Sequence, residues 1–329
     1  MADFRWDPVN GEWVIIAKNR AQRPNEFQMS VDRTRISDCP FCRGNEDQTP
    51  KEIAVYPKDQ PGNRWHTRVF ANKYPAVDFE AGNDGLANVG PYRQGDCVGH
   101  HEIVVESPDH KTTFSQLTDD EADSAFQAYR DRVSHFAEDS RLKHASIFKN
   151  CRPAAGASIE HLHSQILCTS VVSETVLRRV ARAKQYWLAN GKDVISSIAE
   201  YEKEQQTRVV LESRNYLALC PYASRFGYLA NILPQKRMPD FFKLPDEELC
   251  ELARLVRRVV MKLESCLPEV AYNILFHLPP FGMDTGDYYP WHLEIFPRLS
   301  HAAGYELGSG CWINPVSPED AAESMRNAE

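Results

Sequence analysis

No stretch of this chain approaches the roughly 20 apolar residues that a bilayer-spanning helix needs, and its mean hydropathy is −0.50. A membrane is therefore not an expected partner. The chain also lacks an excess of positive charge. Its 38 Lys and Arg stand against 46 Asp and Glu, a net charge of −8. No global basic field recruits nucleic acid, so any phosphate must be met by a few local cations. The start, MADFRWDPVNGEW, is polar and acidic where a secretory leader is basic and then apolar. Nine cysteines, odd in number and scattered, do not make a disulfide framework. These absences point to a reducing, cytoplasmic setting. What remains is 329 residues, 42% hydrophobic and 26% charged, enough for one large or two smaller globular units.

Short strand-like bursts are present: EWVIIAK (12–18), HEIVVES (101–107), ASIFKN (145–150) and HSQILCT (163–169). Helices are signalled as clearly. Thr118 with Glu121 three residues on is a capping box. Leu249, Leu252, Ala253, Val256, Val260 and Leu263 recur at helical spacing. Ser317 then Pro318 open a last helix. Residues 171–206 read as a helical bridge, and 78–97, rich in Gly, Asn and Asp, as a mobile loop.

In order, these elements repeat. HEIVVESPDH leads to a capped helix, then HASIFKN, a loop and EHLHSQIL. YLANILPQKR leads to a capped helix, then AYNILFH, a loop and PWHLEIFP. Each half reads as strand, strand, helix, strand, strand. The alignment sets His292 against His161 and Glu294 against His163. The expected fold class is α+β, two tandem halves forming one largely antiparallel sheet with helices packed on it. The expected units are residues 1–170, a helical bridge at 171–213, and 214–329.

Chemistry gathers in the first half. His161 and His163 lie two apart in a strand and so look to the same face. Cys39 and Cys42 form a Cys-x-x-Cys knuckle. Two thiolates with two imidazoles make an ordinary closed zinc site, and His110 and His161 are the candidates to complete it. His163 is then left free beside the metal. A free imidazole near a phosphate can attack phosphorus and split one displacement into two. Gln165, on the same strand face, can donate to a non-bridging oxygen, and Ser158 with the backbone of AAGAS can cradle the same phosphate.

His-x-His-x-Gln, preceded by FKN…GAS and by the Cys-x-x-Cys, resembles the galactose-1-phosphate uridylyltransferase family of the histidine-triad superfamily. The likeness runs nearly end to end, from WDPVNGEWVIIAKNRAQRP through SPDH to AGYELGSGCWINPVSPEDAAESM. It implies His163 as the nucleophile and Cys39, Cys42, His110 and His161 as ligands of a structural zinc. It implies Gln165 and Ser158 as phosphate contacts, Asn72 and Asn150 as lining of the nucleotide pocket, and Arg20 and Arg23 as a basic pair for substrate phosphates. Glu306, a sugar contact, is retained, while Ser300 and Trp312 stand where the family reads the hexose with other residues. His277 and His292 match two ligands of a second metal, iron or zinc, with Glu294 as a candidate third, but Arg179 stands where an acidic ligand belongs and a second Cys-x-x-Cys is absent. His-Leu-His replaces the usual His-Pro-His.

The implied activity is ping-pong nucleotidyl transfer from a nucleotide sugar to a sugar 1-phosphate or phosphate, in a homodimer. UDP-glucose with galactose 1-phosphate is the first expectation. ADP-glucose phosphorolysis, which the tail GSGCWINPVSPED favours, is the alternative. A zinc-stabilised protein that binds nucleotides without turning them over is the rival from another class.

Overall fold

The computed structural model describes residues 2–18, 39–58, 64–80, 85–238 and 240–328. Its elements run as a hairpin β1 (Asp3–Asp7) and β2 (Glu12–Ile16), then β3 (Glu52–Tyr56), β4 (Thr67–Ala71), a small hairpin β5 (Ala87–Val89) and β6 (Tyr92–Gln94), and β7 (Gly99–Val105). Helix α1 (Asp119–Ala137) leads to β8 (His144–Cys151) and β9 (His163–Thr169), followed by α2 (Glu174–Asn190) and α3 (Val194–Gln205). Then come β10 (Val209–Glu212), β11 (Tyr216–Leu219), β12 (Ala230–Pro234), α4 (Asp246–Cys266), β13 (Tyr272–His277) and β14 (His292–Pro297). The tail holds α5 (Gly304–Ser309), β15 (Trp312–Asn314) and α6 (Pro318–Asn327).

Ten strands make one antiparallel sheet in the order β10-β11-β12-β14-β13-β8-β9-β7-β4-β3. The halves meet at the centre, where β8 pairs antiparallel with β13. The fold class is as expected: α+β, with two like halves sharing one sheet. Each half has three strands, a helix and two strands, one strand more than the sequence suggested. EWVIIAK lies outside this sheet, because β2 pairs with β1 and, in parallel, with β15 of the tail. The 78–97 segment is not featureless either. Gly90, at φ 60°, turns the β5–β6 hairpin.

Alternation explains what each sheet face does. Ala145, Ile147, Ile166 and Cys168 point to a core shared with α1 and α4. The capping box of α1 forms as read, and every residue of the apolar stripe named on α4 is buried. The opposite face is covered differently in the two halves. On the second, Val194, Ile195 and Ala199 of α3 pack against Leu217, Leu219 and Leu233. On the first, the segment at Cys39 and Phe41 packs against Phe70, Ile103 and Val105.

Candidate active site

Strand β9 projects His163 and Gln165 to that face and Ser164 to the helix layer. His163 is buried, with Phe41 edge-on to its ring at 5.2 Å. Its Nδ1–H donates to the His161 carbonyl at 2.8 Å. With Nδ1 so committed, the lone pair of the neutral ring sits on Nε2, which bonds to nothing among the described residues. Burial lowers the tendency of His163 to protonate, reinforced by Lys149, against the hydrogen bond to His161. The geometry thus presents a neutral imidazole with one bare, fixed nitrogen.

Four donors converge beside it. Cys39 Sγ lies 3.5 Å from His161 Nδ1, and Cys42 Sγ lies 3.4 Å from His110 Nδ1 and 3.5 Å from His161 Nδ1. All four ligand atoms fall within 4.8 Å of one another. Bonds of about 2.3 Å to sulfur and about 2.0 Å to nitrogen at a tetrahedral angle put S and N about 3.5 Å apart. The residues therefore fit a closed tetrahedral metal such as zinc. Burial and the adjacent Cys39 push the Cys42 thiol up to about 12, so a cation is what would draw out its thiolate. His161 Nε2–H donates to Ser107 O at 2.9 Å, which turns Nδ1 toward the cluster.

Behind β9 lies a charged network that sequence reasoning missed. Lys149 pairs with Glu106 and donates to the carbonyl of His163 at 3.1 Å. Ser164 Oγ and Tyr129 OH, 2.9 Å apart, both donate to Glu106. All four side chains are buried. The available signal was Glu106 directly after the apolar run Ile103–Val105 that ends β7. His101 was missed as well; its Nε2 lies 2.8 Å from Gln165 Oε1 and 3.2 Å from Asn72 Nδ2. Asn72 and His101 line a cavity of about 620 Å³ with Ala76, Phe79 and His100.

Other expected residues fall out differently. Asn150 Oδ1 accepts from Asn273 Nδ2 at 2.7 Å, so its amide ties the loop to the second half. Three of the five N–H groups of the AAGAS loop, expected to cradle a phosphate, are engaged within the loop. The N–H groups of Ala155, Gly156 and Ala157 are spent on Arg152 and Pro153 carbonyls. Ser158 is exposed and its hydroxyl bonds to nothing among the described residues. Glu306 Oε2 caps its own helix at Ala303 N, 3.0 Å, and makes no hydrogen bond to β9. Arg20 and Arg23 lie outside the described residues.

The second half corrects the alignment of the repeat. The 3-10 turn Phe114–Gln116 and the helix start Asp119 recur as Phe241–Lys243 and Asp246, and the strand start His163 recurs as His292. In register, Phe148 faces Gln165 and Leu275 faces Glu294. So His292 is the counterpart of His163, and Glu294 of Gln165. A slip of two had preserved the face and misled the sequence comparison. His277, His292 and Glu294 do meet, yet they do not fit a metal. Glu294 gives one oxygen to Arg225 at 2.6 Å and the other to His277 Nε2 at 3.1 Å, and His277 Nδ1 faces Arg179 at 3.1 Å. Two guanidiniums stand where a cation would.

Against known proteins, a family model described as the galactose-1-phosphate uridyl transferase N-terminal domain matches residues 1–173. The chain belongs to the galactose-1-phosphate uridylyltransferase family. It is thereby a nucleotidyltransferase. A second model, described only as a domain of unknown function, matches residues 99–328. Within the family, an ADP-glucose phosphorylase of Arabidopsis thaliana is 32% identical over 98% of this chain and 92% of its own length. A galactose-1-phosphate uridylyltransferase of Thermotoga maritima is 26% identical over 100% of this chain and 99% of its own. The crystal structure of an Arabidopsis ADP-glucose phosphorylase with bound ADP-glucose superposes at TM-score 0.85, with 30% identity and full coverage of both chains.

Proposed function

We propose that this uridylyltransferase-family member moves an adenylyl group from ADP-glucose, through His163, to inorganic phosphate. His163 Nε2 attacks the α-phosphorus, the bond to the bridging oxygen of the β-phosphate breaks, and glucose 1-phosphate leaves. A phosphate oxygen then attacks the same phosphorus, the N–P bond breaks, and ADP departs. No proton need move, because both leaving group and acceptor are already anionic. The positive charge on the ring of the adduct is met by the His161 carbonyl that holds Nδ1–H. Gln165 donates to a non-bridging oxygen, Ser158 and the Arg20–Arg23 pair meet phosphates, and Asn72 meets the nucleoside. Zinc on Cys39, Cys42, His110 and His161 is scaffolding, one ion per chain, and the protein works as a homodimer.

The observation that carries the chemistry is the bare Nε2 of a neutral, clamped His163. The adenine donor rests on the 32% likeness over nearly the whole chain, which favours phosphorolysis over the uridylyl transfer first expected from sequence. The test is intact-protein mass after brief incubation with ADP-glucose or UDP-glucose and no acceptor. An adenylyl adduct that His163→Ala cannot form, and that phosphate discharges as ADP, is the expected result. A uridylyl adduct alone would restore uridylyl transfer. Absence of both would sink the nucleophile.

A further inference from the structure

His101, on β7, is a diagonal neighbour of Gln165, since Ile103 stands opposite Gln165 in the β7–β9 register. Three groups surround its ring. Ala76 N–H points at Nδ1 from 3.2 Å, while Gln165 Oε1 at 2.8 Å and Asn72 Nδ2 at 3.2 Å face Nε2. A side-chain amide can be turned over, but a backbone N–H cannot. Nδ1 must therefore accept, and in the neutral ring the proton sits on Nε2. That N–H donates to the Gln165 oxygen. Asn72, whose Oδ1 already accepts from Tyr74 N–H at 2.9 Å, is a neighbour rather than a partner.

A glutamine head has two orientations of opposite polarity and nearly equal shape. With Oε1 tied to His101, one survives, and its NH2 is turned away from the ring. That NH2 donates to nothing among the described residues, on the strand face that also carries His163. The flipped orientation would aim a carbonyl oxygen at an anion.

We propose that His101 sets the polarity of Gln165, holding its amide so that the NH2 and not the carbonyl meets the phosphate that His163 attacks. The inference rests on His163 being the nucleophile. His101 touches no substrate in this role; it is a positioning residue. It is fixed by its own backbone contact at Ala76 and acts one hydrogen bond away from the reacting phosphate.

The experiment combines single-turnover adduct formation from ADP-glucose with side-chain NMR of the intact protein. His101→Leu should slow adenylylation by about 10- to 100-fold while the dissociation constant for ADP-glucose moves by no more than about threefold. On a Gln165→Ala background the same change should cost no more than about twofold, because the group it orients is gone. His101→Gln, which restores an N–H donor, should recover most of the loss. Equal penalties on both backgrounds, or a wild-type rate in His101→Leu, would overturn the proposal. Long-range 15N–1H correlations should show His101 as the Nε2–H form, and the Nδ1–H form would overturn it too. If the wild-type protein forms no adduct, the nucleophile reading fails, and the tautomer still decides whether His101 holds Gln165.

Discussion

His163 opens β9 and His292 opens β14, and each is followed two residues on by a head with two polar atoms, Gln165 and Glu294. The surroundings then diverge. Around His163 the neighbours are a carbonyl and an aromatic edge. Around His292 they are the stacked ring of His277, 4.5 Å between centroids, and the Glu294–Arg225 pair. The same strand geometry therefore yields the proposed nucleophile where the ring is clamped at one nitrogen and open at the other. It yields filler where neighbouring charges close the space. Position in the repeat does not make the site; what the other sheet face is covered by does.

The sharpest way to break this comparison is to remove each histidine. His163→Ala should lower turnover by about 10⁴-fold or more, as loss of a covalent nucleophile does. His292→Ala should change turnover by no more than about threefold. Comparable losses from both would mean that the second half takes part in the chemistry. Metal content makes a second test. The wild-type protein should carry about one zinc per chain, and Cys39→Ser or His110→Ala should lose it together with stability. Two equivalents in the wild type would show that Arg179 and Arg225 do not displace a second ion.

Much of the first half was legible because its chemistry lies in local spacing. Cys39 and Cys42 sit three apart, His161 and His163 two apart, and strand parity does the rest. The helices were readable from Thr118–Glu121 and from the α4 stripe for the same reason. His101 and the Glu106–Lys149 pair were not, since nothing within β7 says which strand lies beside it. The offset between His292 and His163 also needed pairing registers, because a slip of two keeps every side chain on its face. The extra strand in each half and the β2–β15 pairing depend on partners far apart in sequence.

Each half holds a buried carboxylate on a cation, Glu106 on Lys149 and Glu294 on Arg225, which allows a third test. Lys149→Met should cost about 3–5 kcal/mol by removing the counter-ion of the buried Glu106, and should also slow adenylylation, because Lys149 Nζ holds the carbonyl of His163. Urea unfolding alongside adduct kinetics checks both. A loss of stability with an unchanged rate would reduce the network to packing.

The smallest effect belongs to Glu294, and pH exposes it. Burial pushes its carboxyl up, but the charge of Arg225, with hydrogen bonds from His277 and Arg225, outweighs burial and holds it well below the usual carboxylate range. A carboxyl lowered in the fold stabilises the protein at pH values above its unfolded pKa of about 4.3. That stabilisation fades as pH falls from there toward the folded value. Glu294→Gln keeps the shape and cannot titrate. Its stability should lie below wild type by a nearly constant amount from pH 7 to about pH 5, and the gap should narrow below about pH 4. Urea midpoints of the two proteins measured side by side give this difference, and acid effects on the Cys39–Cys42 cluster, common to both, cancel. A gap that stays constant down to pH 3 would mean that Glu294 contributes through packing alone, and that Arg225 is not what fills the second half's site.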